Sequence, residues 1–161
     1  RHDLEISGLY VSAALQCREQ GWNLVWENAR MLELRRLGVQ PDAYMRVEGE
    51  GWQRKAFVEF TSAMPSYRDM QSKLKGYAAL LEKVPEVALL WWTVTENKRS
   101  TLIRWCKDFD FRGSIAFGLI EERTGFLNRC MWRVPGHDGL VSLSLPEGVG
   151  GQACSSPPSE G

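Results

Sequence analysis

The strongest constraint on the fold is a pair of alternating segments joined by a glycine-rich turn. Apolar and polar residues alternate through 42–48 and again through 52–61. Alternation with a period of two indicates strands that bury one face. The intervening Gly49, Glu50 and Gly51 are typical of a tight turn. Two such strands across a short turn predict an antiparallel β-hairpin.

This hairpin brings acidic side chains together. Asp42 begins the first strand and Glu59 lies near the end of the second, so antiparallel pairing places them almost opposite each other. Close carboxylates repel unless a proton or a cation neutralises them, and Mg²⁺ prefers oxygen ligands. We therefore predict a Mg²⁺ site at this pair; two solvent-exposed strand-end carboxylates are the alternative. Glu27, after a predicted strand at 23–26, is either a third acid of the site or a surface carboxylate.

A predicted helix after the hairpin carries a lysine that fits this acidic pair. The helix spans about 65–83. Its apolar stripe consists of Tyr67, Met70, Leu74, Tyr77 and Leu81. Lys73 borders the stripe, and a buried lysine requires an anionic partner because an unpaired, desolvated ammonium is very unfavourable. Asp42 and Glu59 are the expected partners; extension of the side chain along the helix edge into solvent is the alternative.

The remaining pattern completes an α/β domain. Further helices are predicted at 3–20 and 97–107, and further strands at 86–95, at 114–120 and, as an edge strand, at 130–134. A helix between two strands implies a crossover and parallel pairing, whereas the hairpin is antiparallel. We therefore predict an α/β fold with a mixed β-sheet that is flanked by helices on both faces.

Length and composition set the limits of the domain. The 161 residues correspond to about one domain. We predict that domain at 1–147, followed by a disordered tail at 148–161 that is rich in Gly, Ser and Pro. No apolar run approaches the roughly 20 residues of a membrane span, and no signal-peptide pattern is present. We expect no membrane association and a cytoplasmic location. Because the first residue is Arg1 rather than Met, we expect a piece of a longer protein.

The charge balance neither favours nor excludes nucleic acid as a partner. The chain has 20 basic and 20 acidic residues, whereas a basic surface is typical of nucleic-acid-binding domains. Local patches can still bind DNA. The candidate phosphate contacts are Arg54 and Lys55 on the hairpin and Arg68 at the start of the long helix. A solvated basic face is the alternative for each of them.

Taken in order, these residues resemble a known nuclease motif. Pro41 and Asp42, followed by Glu59 on the next strand, are similar to the Pro-Asp and Glu-x-Lys elements of the PD-(D/E)XK nuclease superfamily. That superfamily is built from a helix, a three-strand meander, a helix and a further strand. More narrowly, residues 2–95 resemble the nuclease-like domain of the replication-relaxation proteins of plasmids and actinobacterial chromosomes. The matching residues are His2, Leu4, Trp26, Glu27, Pro41, Asp42, Glu59, Lys73 and Tyr77.

The resemblance implies a restriction-endonuclease-like core and Mg²⁺-dependent hydrolysis of phosphodiester bonds. Asp42 and Glu59 would hold the ion, Lys73 would steady the charge on the phosphate oxygens, and Tyr77 would position Lys73 or a phosphate, or pack in the core. One residue departs from the motif: Thr61 stands where the motif lysine would be, which leaves open whether the chain is a deoxyribonuclease. Lys73 is the candidate replacement, since it stands in the place of the Gln of the Gln-x-x-x-Tyr motif in some superfamily nucleases.

Three functions remain open. The first is a metal-dependent DNA endonuclease of the plasmid or chromosome replication or mobilisation type, active through Asp42, Glu59 and Lys73. The second, which Thr61 favours, is a catalytically degenerate nuclease fold that serves as a DNA-binding or protein-interaction accessory. The third is an interaction domain that uses exposed tryptophans among the seven present. The resemblance also implies a winged-helix region upstream of this piece.

Overall fold

The structure is a computed structural model that describes residues 2–28, 38–111 and 113–146. The elements are α1 (His2–Gln20), β1 (Asn23–Glu27), β2 (Ala43–Gly49), β3 (Trp52–Phe60), α2 (Tyr67–Lys83), β4 (Val87–Thr93), α3 (Glu96–Trp105) and β5 (Ile115–Leu119). Short 3-10 turns follow at Cys106–Asp108 and Ile120–Glu122. The predicted tail at 148–161 lies outside the described residues, so its disorder stays a prediction.

The sheet is mixed, as the sequence predicted. Its five strands lie in the order β1-β2-β3-β4-β5. The first three form an antiparallel meander, whereas β4 pairs in parallel with both β3 and β5. Because α2 and α3 connect parallel strands, each begins at the sheet edge where β3 and β4 end. This edge is the place where open α/β sheets usually bind ligands.

Helices cover both faces of the sheet, which confirms the predicted α/β class. On one face, α1 packs on the meander; its buried residues there include Leu9, Ala13 and Cys17. On the other face, α2 and α3 form a second core. That core includes Met70, Leu74, Tyr77, Leu89, Trp91, Leu102 and Phe117. Across the described ranges, no helix combines the length and apolar character required to cross a bilayer.

The outer side of α1 carries exposed apolar side chains. Leu4 and Tyr10 have 76% and 45% of their surfaces exposed. The helix packs through Leu9 and Ala13 instead, and Leu4 lies about 140° around the helix from Leu9, since each residue turns it by roughly 100°. Tyr10 rests its ring against Trp26 at a centroid distance of 5.6 Å.

The predicted edge strand at 130–134 is wrong, because this segment forms only isolated bridges. Arg133 pairs with Phe117, and Trp132 pairs with Val141. Side-chain packing, rather than a ladder of backbone hydrogen bonds, holds this segment against the sheet. The Trp132 ring lies over Gly118, where an added Cβ would approach the ring to 3.0 Å. The buried Arg99 guanidinium adds hydrogen bonds to the carbonyl oxygens of Phe117 and Met131.

Candidate functional site

The acidic pair lies where the hairpin register predicted it. Ala43 pairs with Val58, and the preceding Asp42 donates its backbone N–H to the Val58 carbonyl oxygen at 2.9 Å. Asp42 is therefore opposite Glu59, and the two side chains share one face. The two carboxylates also interact electrostatically, because Asp42 contributes to raising the pKa of Glu59.

Glu59 is a buried carboxyl held by two helix residues. Only 2% of its surface is exposed. The Lys73 ammonium contacts Oε1, and the Tyr77 hydroxyl donates a hydrogen bond to Oε2. Burial raises the pKa of Glu59 to about 7, although the Lys73 charge opposes this shift. The group therefore titrates close to neutral pH rather than in the usual acidic range.

Lys73 points into the site rather than along the helix edge into bulk solvent. In addition to contacting Glu59, its ammonium nitrogen lies 5.7 Å from the centroid of the Trp91 ring, a cation–π distance. Tyr77 is one helical turn further along α2, so both side chains reach the same carboxylate. Burial and the neighbouring Glu59 raise the pKa of Tyr77 well above its ordinary value, which keeps its hydroxyl a donor.

Asp42 is fixed by a different set of contacts. Its Oδ2 accepts a hydrogen bond from the Phe60 backbone N–H at 2.8 Å, and its Oδ1 lies 3.2 Å from His2 Nε2. Burial raises the pKa of Asp42, while the Phe60 N–H, His2 and Lys73 counteract that shift. Chain position alone does not predict the contact of His2 with Asp42, because it forms only where the start of α1 meets the far end of the hairpin.

Thr61, at the position of the motif lysine, has a structural role. It is buried, and its hydroxyl oxygen accepts a hydrogen bond from Trp91 Nε1 at 3.1 Å. Its carbonyl oxygen accepts from the Thr93 hydroxyl at 2.9 Å. The strand therefore supplies no cation at this place, and the positive charge beside Glu59 comes from Lys73 on α2.

Replacing Thr61 with valine is expected to lower the free energy of unfolding by about 1–3 kcal/mol, because the buried Trp91 indole N–H loses its acceptor. Urea denaturation measures this loss. Thr124→Val is the matched control, since Thr124 is exposed and should change stability little. Equal stabilities of the two variants would show that the indole bond contributes nothing.

A cavity of about 360 Å³ opens beside the acidic pair. Its lining includes His2, Gln40, Asp42, Glu59, Thr61 and Lys73. One wall includes Ser62, whose carbonyl oxygen accepts a hydrogen bond from the Lys98 ammonium at 2.5 Å. Lys98 lies in the first turn of α3, so a second cation is present at the same edge of the sheet.

The other predicted residues lie outside this cavity. Glu27 is exposed at the end of β1, opposite Tyr44. Arg54 and Lys55 are near the start of β3, about 13–17 Å along the strand from Glu59. Arg68 is exposed in the first turn of α2, at the same end of the sheet as the cavity.

The site offers two carboxylates to a metal ion. Among the described residues there is no group of three or more His, Cys, Asp or Glu side chains suited to a metal. Mg²⁺ is commonly held by one or two carboxylates and completes its shell with water, so Asp42 and Glu59 fit this pattern. The Lys73 ammonium beside Glu59 would then share the carboxylate with the ion. No protein-family model, curated protein or solved structure matches this chain.

Proposed function

We propose that this chain is a nuclease-like DNA-processing domain whose site hydrolyses phosphodiester bonds with the help of Mg²⁺. One observation carries the proposal: Asp42 and Glu59 face each other at the end of β3, and Lys73 contacts the buried Glu59 from α2. Two acids and a cation beside an open cavity supply the charges that phosphoryl chemistry uses.

The order of elements supports a restriction-endonuclease-like core. The described chain contains a helix, an antiparallel three-strand meander, a second helix and a parallel fourth strand. This is the order expected from the resemblance to the PD-(D/E)XK superfamily and, more narrowly, to the replication-relaxation proteins. The finer family assignment rests on that resemblance and on the positions of Asp42, Glu59 and Lys73.

The protein's own groups prepare the site in three ways. The Phe60 N–H orients the Asp42 carboxylate, and Tyr77 orients that of Glu59. The Lys73 ammonium stands at the cavity wall, where it would stabilise negative charge on a phosphate oxygen. A bound Mg²⁺ would polarise the phosphate and lower the pKa of a coordinated water. Because the pKa of Glu59 is about 7, its ionised form dominates only above neutral pH.

A second candidate is a nuclease fold that binds DNA without cutting it. Thr61 favours this reading, because its hydroxyl is occupied by Trp91 and no lysine stands at position 61 to orient an attacking water. The interaction-domain hypothesis has less support, since Trp22, Trp91, Trp92 and Trp132 are buried. The other tryptophans, Trp26, Trp52 and Trp105, are only partly exposed.

The test is metal binding by Asp42→Asn. We expect calorimetry to show binding of Mn²⁺ or Mg²⁺ to the wild type and an affinity at least roughly tenfold lower for the variant, since a neutral amide replaces one of two charged ligands. Plasmid nicking on the same samples should fall together with metal affinity.

Asp138→Asn serves as the control, because Asp138 is exposed and lies in the loop after Trp132, outside the cavity lining. Metal binding without nicking in the wild type would support the non-cleaving candidate. Equal metal affinities of the wild type and Asp42→Asn would refute the metal site.

A further inference from the structure

The Asp42 carboxylate is held from two sides by donors that belong to different elements. On one side, the Phe60 backbone N–H of β3 donates to Oδ2 at 2.8 Å. On the other side, His2 Nε2 of α1 lies 3.2 Å from Oδ1, within the range of a hydrogen bond. An ionised carboxylate only accepts hydrogen bonds, so the imidazole N–H is the donor in this contact.

Two donors fix a group that would otherwise turn. The terminal torsion of an aspartate side chain is broad rather than confined to sharp staggered positions. With one oxygen held by the backbone and the other by the imidazole, the plane of the Asp42 carboxylate is set. An ionised carboxylate has about four acceptor sites, so the two donors leave about one on each oxygen for a cation. The His2 contact therefore limits the directions from which an ion can approach Asp42.

The His2 imidazole stands in the cavity wall without being part of the core. It belongs to α1, which packs on the meander through Leu9 and Ala13, and its ring contacts the Phe60 ring at a centroid distance of 5.6 Å. It lines the cavity together with Asp42, while 47% of its side chain stays exposed. Because it is this exposed, its replacement should leave the fold intact.

We propose that His2 is a positioning residue of the metal site, which acts by orienting the Asp42 carboxylate towards the bound ion. This inference rests on the proposed function and gives α1 a part in it. Carboxylates that bind metals are themselves hydrogen-bonded, and removal of such an outer partner typically lowers metal affinity or activity by about 10–100-fold. His2 thus acts through Asp42, whose Oδ1 it contacts.

Calorimetric titration of His2→Leu and His2→Gln with Mn²⁺ tests this role. Leucine has no donor, so the metal affinity is expected to fall by about 10–100-fold. Glutamine keeps an N–H donor on a side chain of similar reach, so it should restore most of the affinity. His137→Leu is the matched control, because His137 is exposed and does not line the cavity.

Plasmid nicking by the same variants separates positioning from direct chemistry. Nicking should follow metal affinity, being low in His2→Leu and largely restored in His2→Gln. Wild-type metal affinity without nicking in His2→Gln would overturn the proposal, since it indicates a proton that the imidazole transfers and an amide cannot.

The metal titrations can also contradict the proposal by themselves. Equal metal affinities of the wild type and His2→Leu would overturn it while leaving the metal site intact. An affinity of His2→Gln as low as that of His2→Leu would overturn it as well, because the N–H donor would then not be the cause. No metal binding by the wild type would overturn both this inference and the proposed function.

Discussion

Replacing Glu59 with glutamine is expected to remove about 3 kcal/mol of pH-dependent destabilisation. Burial raises the pKa of Glu59 from 4.5 to about 7 in the folded protein. Because the folded-state pKa is the higher one, the stabilisation from this group is fully present below about pH 4.5 and is lost as pH rises through about pH 7. Glutamine does not titrate, so its variant lacks this loss.

The measurement is the difference in unfolding free energy between the wild type and Glu59→Gln, from urea denaturation at a series of pH values. Titration of the groups that do not interact with Glu59 cancels in this difference. We expect the wild type to lose about 3 kcal/mol relative to the variant between about pH 4.5 and pH 8. Glu50→Gln, in the exposed β2–β3 turn, should show a flat difference. A flat difference for Glu59→Gln as well would mean that Glu59 titrates with an ordinary pKa.

The sequence predicted the acidic pair because local rules determine it. A period-two pattern and the glycine-rich turn fix the register of the hairpin, and the register alone places Asp42 opposite Glu59. The pairing of Lys73 with an acidic group could also be predicted locally, since its position beside an apolar stripe on α2 implies a buried anionic partner. Helix and strand order, and hence the mixed sheet, followed from the same periodicities.

Other parts of the site depend on contacts between distant segments. His2 meets Asp42 only because α1 crosses the meander with its first residue at the edge where β3 ends. The bond from Trp91 to Thr61 joins two strands that are separated by α2 in the chain. Nothing in the spacing of these residues indicates either contact. The segment at 130–134 is predicted to be an edge strand, but Trp132 packs on Gly118 instead.

Thr61 and Lys73 determine which element supplies the positive charge beside Glu59. Residues 59 and 61 share one face of β3 because side chains alternate along a strand, so a lysine at 61 would stand beside Glu59. In this chain Thr61 fills that space with a neutral hydroxyl, and α2 supplies the ammonium from the side. The positive charge beside Glu59 therefore comes from α2 rather than from the end of β3.

Lys73→Met is therefore expected to lower plasmid nicking by roughly a hundredfold to a thousandfold, the usual loss when one group that stabilises transition-state charge is removed. The same change should shift the acidic limb of the pH–rate profile to higher pH, because the Lys73 charge lowers the pKa of Glu59. Lys75→Met is the matched control: Lys75 is exposed on the same helix, and both activity and profile should stay as in the wild type.

Unfolding does not account for this loss of nicking. When the Lys73 cation is missing, Glu59 can take up a proton, which limits the loss of folding stability. Breaking a buried ion pair can cost about 3–5 kcal/mol when the remaining charge stays ionised. Glu59 can instead become neutral. At about pH 8 this lowers the free energy of unfolding by only about 1–2 kcal/mol beyond the loss that the wild type already shows. Lys73→Met should thus remain folded, and at about pH 5 it should be as stable as the wild type. Wild-type nicking by this folded variant would exclude Lys73 from the chemistry and leave it a structural partner of Glu59.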